Sequence, residues 1–391
     1  MSRNQGITHA SRVLFVTTVA STLEAFLLPF ARALRADGTR VDALAADALR
    51  RPGLEAEFDQ RFEVGWSRSL RCLLHYRRLA REVRELVARE RYDVVWVHTP
   101  IAALVTRAAL RRMKSGGPRI VYTAHGFHFY RGGRPWPKQW FYRGIERLSL
   151  RWTDVLVVMN DEDHAAVQPW FKRARRRCKL ARIDGIGIDS AAWTLPVLDE
   201  TRKGELRERF RIPMGSFVIT MIAEMNANKR HQLLIEAMAL LHRRQSLPWI
   251  RLLLIGQGPL ESELRALVDA RDLGGTVVFA GQLAPDELRE LLALTNAGML
   301  VSGREGLPRS LMEMCASGIL LAGTRTRGVT DEVLDERALA DEATPAALAT
   351  LIEKLAKDPA LRAELAQRQY AHLQERYDLS HILPLYLELL S

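Results

Sequence analysis

The chain has 391 residues, 48% of them apolar, and a formal net charge of +11. That length suits two domains of ordinary size better than one hydrophobic core, and the apolar share excludes a disordered chain. Nowhere do eighteen apolar residues follow one another, because the run that begins at Val13 is interrupted by Glu24, so no membrane-spanning helix is expected.

The first apolar run, RVLFVTTV, follows Arg3 and has the look of a signal peptide as much as of a buried strand; what comes after it favours the strand. A helical pattern over residues 23–36 leads to the strand RVDALAA, and a second over 70–90 leads to DVVWVHT. Strands RIVYTAH and DVLVVMN follow, separated by further helical periodicity. After a linker near 194–201 the rhythm restarts: SFVITMIA, a helix from Lys229, IRLLLIG, a helix from Glu261, TVVFAG, a helix from Asp286, AGMLVSG and a helix from Arg309. Strand and helix in strict alternation predict parallel sheets with right-handed crossovers. The expected fold is therefore α/β, two doubly wound Rossmann-like domains over residues 1–195 and 196–376, with their strand ends facing a central cleft.

The charge is unevenly shared. Residues 1–195 hold 34 basic and 19 acidic side chains, whereas residues 196–391 hold 23 and 27. The densest stretches are 101–150 and the segment KRARRRCK, which suit an anionic lipid surface or a phosphate-bearing substrate. No zinc finger, basic-region helix or RNP-type aromatic signature accompanies them, so no nucleic-acid partner is expected. Cys72, Cys178 and Cys315 are far apart and form no C-x-x-C pair, which fits a reducing cytoplasm.

The most informative segment is SGREGLPRSLMEMCASG, residues 302–318, where a strand end runs into a helix. Gly303 and Gly306 allow close backbone approach, Pro308 suits the first helical position, and the free N–H groups of the first turn form an anion site. Glu305 and Glu313, with seven residues between them, can accept hydrogen bonds from sugar and ribose hydroxyls on either side of a diphosphate. The bland alternative is a surface Glu305 and an Arg309–Glu313 ion pair at i, i+4 spacing. Lys229, in ANKRH, is placed to stabilise charge on a departing diphosphate, which would remove the need for a metal ion; a solvated helix-start lysine is the alternative.

His125, in AHGFH, follows a buried strand at a point where a ligand site opens in such folds. His128 is the weaker member of an H-x-x-H pair that lacks a third ligand, so no metal site is expected. His98 ends the preceding strand and either faces the same opening or caps a helix. Asp161 and Asp163 form a D-x-D, but Asn160 can act as N-cap, and acids in a first helical turn complement the macrodipole without metal. Gly256 and Gly258 form a weak dinucleotide fingerprint, since Glu261 stands at the third glycine position.

These segments together resemble the family-four retaining glycosyltransferases of the GT-B fold, whose signature is E-x7-E. The resemblance covers nearly the whole chain: TVASTLEAFLLPFARAL, VHTPIAALVTRAA, YTAHGFHFYRG, DVLVVMNDED and DGIGID in the first half, then MIAEMNANKRHQLLIEAM, LLLIGQGPLESEL and VVFAGQL. HGFHFY points to the bacterial enzymes of capsule, exopolysaccharide and lipid-linked glycan assembly. The resemblance implies that Glu305 contacts the donor sugar, Gly306 and Leu307 offer backbone N–H groups to the diphosphate, and Glu313 holds the ribose. It also implies that His125 reaches the donor sugar, and that the Gly256–Gly258 turn and the strand end at Gly281 line the base pocket. The donor would be a nucleotide sugar, UDP-linked by preference, transferred with retention and without a bound cofactor. Residues 377–391 would pack back on the first domain.

One departure is Glu224, where many relatives carry Arg; either it turns away or Arg230 or Arg304 supplies the positive charge. The acceptor is expected on the first domain, around residues 17–25, HGFHFYRGGRPWPKQWF and the basic helix 68–91, and a lipid-diphosphate-linked sugar fits that surface. Trp136, Trp140, Phe141 and Tyr142 beside Arg131, Arg134, Lys138 and Arg143 suit either a membrane face, placing the protein at the inner side of the plasma membrane, or burial under their own helix. The alternatives to a transferase are a nucleotide-sugar epimerase of the same architecture and a catalytically silent binding protein.

Overall fold

Unbroken runs of Val, Ile and Leu form strands covered on both faces, as their lack of polar alternation requires. A computed structural model describes residues 10–66, 73–113, 116–127, 129, 136–172, 178–245 and 248–391. The first sheet contains β1 (Arg12–Val16), β2 (Arg40–Ala45), β3 (Gln60–Glu63), β4 (Val94–His98), β5 (Arg119–Ala124), β6 (Val155–Val158) and β7 (Lys179–Arg182). Its order is β3-β2-β1-β4-β5-β6-β7, and every pairing is parallel. The second contains β8 (Phe217–Ile222), β9 (Ile250–Ile255), β10 (Val277–Gly281), β11 (Ala297–Leu300), β12 (Leu320–Thr324) and β13 (Leu339–Ala340). Its order is β10-β9-β8-β11-β12-β13, again all parallel. Each sheet reverses its winding once, between β1 and β4 and between β8 and β11, and such reversals open a crevice at the strands' carboxyl ends.

The chain divides into residues 1–187 with Ser380–Ser391, and Ile188–Leu379. The first division falls eight residues before the expected 195/196 boundary. Its cause is backbone pairing between distant segments: Ile188 N–H donates to the Tyr377 carbonyl at 2.9 Å, and Leu379 N–H to the Ile188 carbonyl at 2.8 Å. Trp193 also packs against the second core, so the expected linker starts as part of that unit.

Residues 23–36 are not one helix. Ala20–Phe26 ends at Leu27 and Leu28–Ala36 follows, because Pro29 has no N–H to continue the ladder. The helix expected over residues 70–90 is described as Leu73–Glu90. Cys178 and Cys315 are buried free thiols, while Cys72 lies outside the described residues.

The last helix, Leu379–Leu390, belongs mostly to the first unit. Tyr386 is fully buried there, its ring 5.2 Å from Phe30 and 5.3 Å from Trp96, and its hydroxyl donates to the Gly185 carbonyl at 3.0 Å. Tyr386→Phe keeps the ring but leaves that carbonyl without its donor. A loss of about 1 kcal/mol is expected in denaturant unfolding of the first unit, the net worth of one hydrogen bond.

Candidate functional site

In the second unit the residues singled out by type and spacing gather beside the β8/β11 reversal. The turn after β8 is held by Asn226, whose side-chain oxygen accepts from the N–H groups of Asn228 and Lys229 at 3.0 and 3.2 Å. Arg230 then takes a left-handed conformation, φ +54°, and the helix starts at His231, two residues later than the periodicity suggests. The loop after β11 is tied to this turn: Gly303 N–H donates to the Asn228 carbonyl at 2.7 Å, and the Asn228 amide donates to the Arg304 carbonyl at 2.9 Å.

These ties bring Lys229 against Glu305. The ammonium lies 2.6 Å from a carboxylate oxygen, with the two side chains 19% and 11% exposed. The loop continues into the helix Arg309–Ala316, for which Pro308 is the N-cap and not the first helical residue, since its ψ of 108° is extended. Among the described residues, the N–H groups of Gly306 and Leu307 have no backbone acceptor, and they sit just ahead of that helix. Inside the helix, Glu313 pairs with Arg309 at 2.6 Å, so the i, i+4 ion pair of the bland alternative is present. Burial holds the Glu313 carboxyl above the ordinary carboxylate range, against the opposite pull of Arg309.

Glu224 is exposed and its carboxylate accepts from the Asn226 amide at 2.9 Å. Arg230 lies beside the loop: a Cβ built on Gly303 would stand 2.9–3.0 Å from its guanidinium, so glycine there leaves room for the cation.

Gly256 and Gly258 have a backbone reason for their identity. The turn they form packs against residues 223–225, with Met225 N–H donating to the Gln257 carbonyl at 3.0 Å and Leu260 N–H to the Met225 carbonyl at 3.0 Å. Gly281 ends β10, with Gly256 N–H donating to its carbonyl at 2.8 Å. Gly256 and Gly258 therefore follow the carboxyl end of β9, the neighbour of β8, and Gly281 stands at the carboxyl end of β10, one strand further out.

The sequence did not single out the loop after β12. Arg327 Nε donates to the Glu305 carbonyl at 3.1 Å, and the Thr326 hydroxyl donates to the Ser302 carbonyl at 2.9 Å. Gly328, at φ +82°, has the Gly306 carbonyl 2.6 Å from where a Cβ would stand. The available signal was topological: β12 lies beside β11, so its C-terminal loop had to adjoin residues 302–307.

Glu332, in the short helix Val329–Val333, is 5% exposed, and neither carboxyl oxygen has a partner among the described residues. Burial, then Asp331 and Glu305, hold its carboxyl well above the ordinary range. Folding thus favours the protonated form, a contribution complete below the unfolded pKa and lost as pH rises through the raised value. Glu332→Gln stays neutral throughout. Thermal melts are expected to show the variant more stable than the parent at neutral pH, with the gap closing toward about pH 4.

In the first unit, His98 ends β4 fully buried and His125 follows β5; His98 Nδ1 lies 2.9 Å from His125 Nε2. Neither position caps a helix. Burial, then His125, drives the His98 pKa well below its usual value, and burial lowers that of His125 to about 4. The Asn160 side chain accepts from Asp163 N–H at 2.8 Å, and its amide donates to the Asp163 carboxylate at 3.0 Å, so the D-x-D starts a helix. Trp140 and Phe141, on the helix Trp136–Ser149, are 61% and 56% exposed, while Tyr142 packs against the core. His128, Arg131, Arg134 and most of KRARRRCK lie outside the described residues.

Two family models match the chain: glycosyl transferases group 1 over residues 202–372 and glycosyltransferase family 4 over residues 23–181. The chain is 30% identical over 361 residues to the putative glycosyltransferase EpsD of Bacillus subtilis, covering 91% of this chain and 90% of that one. It is 23% identical over 238 residues to the UDP-Gal:alpha-D-GlcNAc-diphosphoundecaprenol alpha-1,3-galactosyltransferase of Escherichia coli, covering 60% of this chain and 58% of that one. Among solved structures, Anabaena Alr3699/HepE in complex with UDP-glucose superposes with a TM-score of 0.76 at 19% identity, covering 98% of this chain and 99% of that one.

Proposed function

This chain belongs to the family-four, group 1 glycosyltransferases of the GT-B fold, and from that premise we propose that it transfers a hexosyl or N-acetylhexosaminyl group from a UDP-sugar to a lipid-diphosphate-linked sugar acceptor, with retention, in surface polysaccharide synthesis. One observation carries the donor half. Within the second unit, a lysine, two carboxylates and, just ahead of a helix, two N–H groups that have no backbone acceptor among the described residues gather at the β8/β11 reversal. A nucleoside diphosphate sugar matches that set: anionic in the middle, with hydroxyls on both sides.

In this reading the Gly306 and Leu307 N–H groups and the Lys229 ammonium take the diphosphate, and Lys229 stabilises the charge that grows on it as the glycosidic bond breaks. Lys229 supplies the positive charge otherwise given by a metal, so no cofactor is required. Glu305 receives donor-sugar hydroxyls and Glu313 the ribose, while Gly256, Gly258 and Gly281 shape the base-side loops. His125 positions substrate by a hydrogen bond. Retention follows if the acceptor enters on the face the leaving phosphate departs from, the phosphate taking the acceptor proton. The galactosyltransferase relative, named for a UDP-sugar and a diphosphoundecaprenol-linked acceptor, supports both substrate classes.

Calorimetric titration against UDP, GDP and a panel of UDP-hexoses with EDTA present tests the donor. Metal-free binding of one nucleotide, weakened in Lys229→Ala, is expected; binding of none overturns the reading. Turnover of donor without acceptor would favour an epimerase, and an inverted anomer in the product would remove retention.

Exposed Trp140 and Phe141, with Arg143 and Arg147 on the same helix, support contact with an anionic membrane surface. The wild-type chain is expected to float with anionic liposomes at low salt, and Trp140→Ser/Phe141→Ser to stay in the pellet fraction. Equal flotation would exclude this helix as the contact.

A further inference from the structure

The first unit has its own reversal, between β1 and β4, and two histidines meet beside it. β4 and β5 pair in register with His98 opposite Thr123, so His125 lies two residues beyond that point. His98 is fully buried, and His125 is half-buried with the Phe26 ring 5.8 Å away. A bond between two neutral imidazoles uses one proton, carried either by His98 Nδ1 or by His125 Nε2.

The other nitrogen of His98 distinguishes these. Among the described residues His98 Nε2 has no hydrogen-bond partner, and the nearest ring, that of Trp96 with its centroid 4.4 Å away, offers no acceptor atom, since an indole nitrogen only donates and here donates to the Thr123 hydroxyl at 2.8 Å. If His125 donated, His98 would carry its hydrogen on Nε2 and bury an orphan N–H. If His98 donates, Nε2 is only an unused acceptor. Buried N–H groups without a partner are rarer than unused acceptors.

We propose that His98 is a positioning residue: its Nδ1–H donates to His125 Nε2, which holds His125 in the tautomer with hydrogen on Nδ1, so that His125 offers substrate a hydrogen-bond donor. The role in turnover rests on the transferase reading above; the proton assignment does not. The backbone beside His98 is held to match. Thr99 has φ +62°, a strained conformation for a β-branched residue, and its hydroxyl is not spent on capping the helix Pro100–Leu110. That hydroxyl accepts from Thr18 N–H at 3.0 Å and lies 2.7 Å from the Thr18 hydroxyl, tying the end of β4 to the loop after β1 across the reversal. His98 therefore approaches His125 from a backbone pinned on both sides of the crevice.

The test is long-range proton–nitrogen correlation NMR on the full chain with nitrogen-15-labelled histidine, assigned by His98→Asn and His125→Asn. A protonated, pyrrole-type Nδ1 and a pyridine-type Nε2 at His125 are expected, and the reverse pattern overturns the proposal. Kinetics with a UDP-sugar then test the role. His98→Asn, whose amide can donate from the place of Nδ1, is expected to retain kcat. His98→Leu is expected to lose about tenfold in kcat, the worth of one hydrogen bond, with donor KM little changed. A folded His98→Leu with the parent's kcat would overturn the positioning role. Failure of the wild-type chain to turn over any nucleotide sugar, with the NMR pattern as expected, would overturn the transferase reading and leave the tautomer standing.

Discussion

Lys229→Ala is expected to lower kcat by about 100- to 1,000-fold, the range seen when one preorganised electrostatic contact to a developing oxyanion is removed. The ammonium is oriented before any substrate arrives, because Lys229 N–H is held by Asn226 and its side chain by Glu305 at 2.6 Å. Preorganisation of this kind spares the reorganisation that a mobile surface lysine would need during reaction. The same substitution carries a second effect. It leaves the Glu305 carboxylate, 11% exposed, without its cation, which is expected to cost about 1–3 kcal/mol.

The two effects separate in a double-mutant cycle. Lys229→Ala/Glu305→Ala removes the stranded charge, so its thermal stability should recover toward the parent while its kcat stays low. Steady-state rates and thermal melts on the four proteins read this directly. If folded Lys229→Ala keeps the parent's kcat while losing stability, Lys229 acts only as the structural partner of Glu305, and its role at the diphosphate falls.

Gly258→Ala is expected to destabilise the second unit by about 3 kcal/mol and to abolish nucleotide binding at concentrations that saturate the parent. A Cβ there would stand 2.5, 2.6 and 2.8 Å from the carbonyl oxygen, nitrogen and carbonyl carbon of Met225. All three are backbone atoms, so no side chain can swing aside. Relief must come from moving the 223–225 segment, and that segment runs directly into the Asn226 turn that carries Lys229. A control lies in the same unit: Gly274 has nothing within 4 Å of where a Cβ would stand, and Gly274→Ala should fall within about 0.5 kcal/mol of the parent. Thermal melts with and without UDP distinguish the two variants. Equal melting temperatures for them would remove the claim that close backbone approach selects glycine at 258.

Most of the architecture was legible in one dimension. Runs such as VLFV, VVWVH and IRLLLI have no polar alternation, and a strand of that kind is stable only when both faces are covered, which in turn implies crossover helices and parallel order. The weaker points were boundaries. Pro29 broke a helix that periodicity alone drew as continuous, and Arg230 entered a left-handed turn where periodicity placed the start of a helix. The 187/188 division was invisible because it depends on hydrogen bonds between Ile188 and residues 377–379, almost two hundred positions away in sequence.

The site divides in the same manner. Glu305, Glu313, Gly306 and Lys229 could be named from the sequence because a strand end, a glycine loop and a helix start are local features with local physical causes. That Lys229 and Glu305 form an ion pair, that Arg327 and Gly328 brace the Glu305 loop, that Glu332 is buried with no partner among the described residues and that His98 meets His125 were decided only by the tertiary structure. Each depends on which strands lie side by side, and sheet order is set by packing of the whole unit. The sequence alone determined which residues could bind an anion or accept a hydroxyl; the fold determined which of them share a proton, a charge or a backbone contact, because those energies fall off over a few ångströms and act between residues the chain itself keeps far apart.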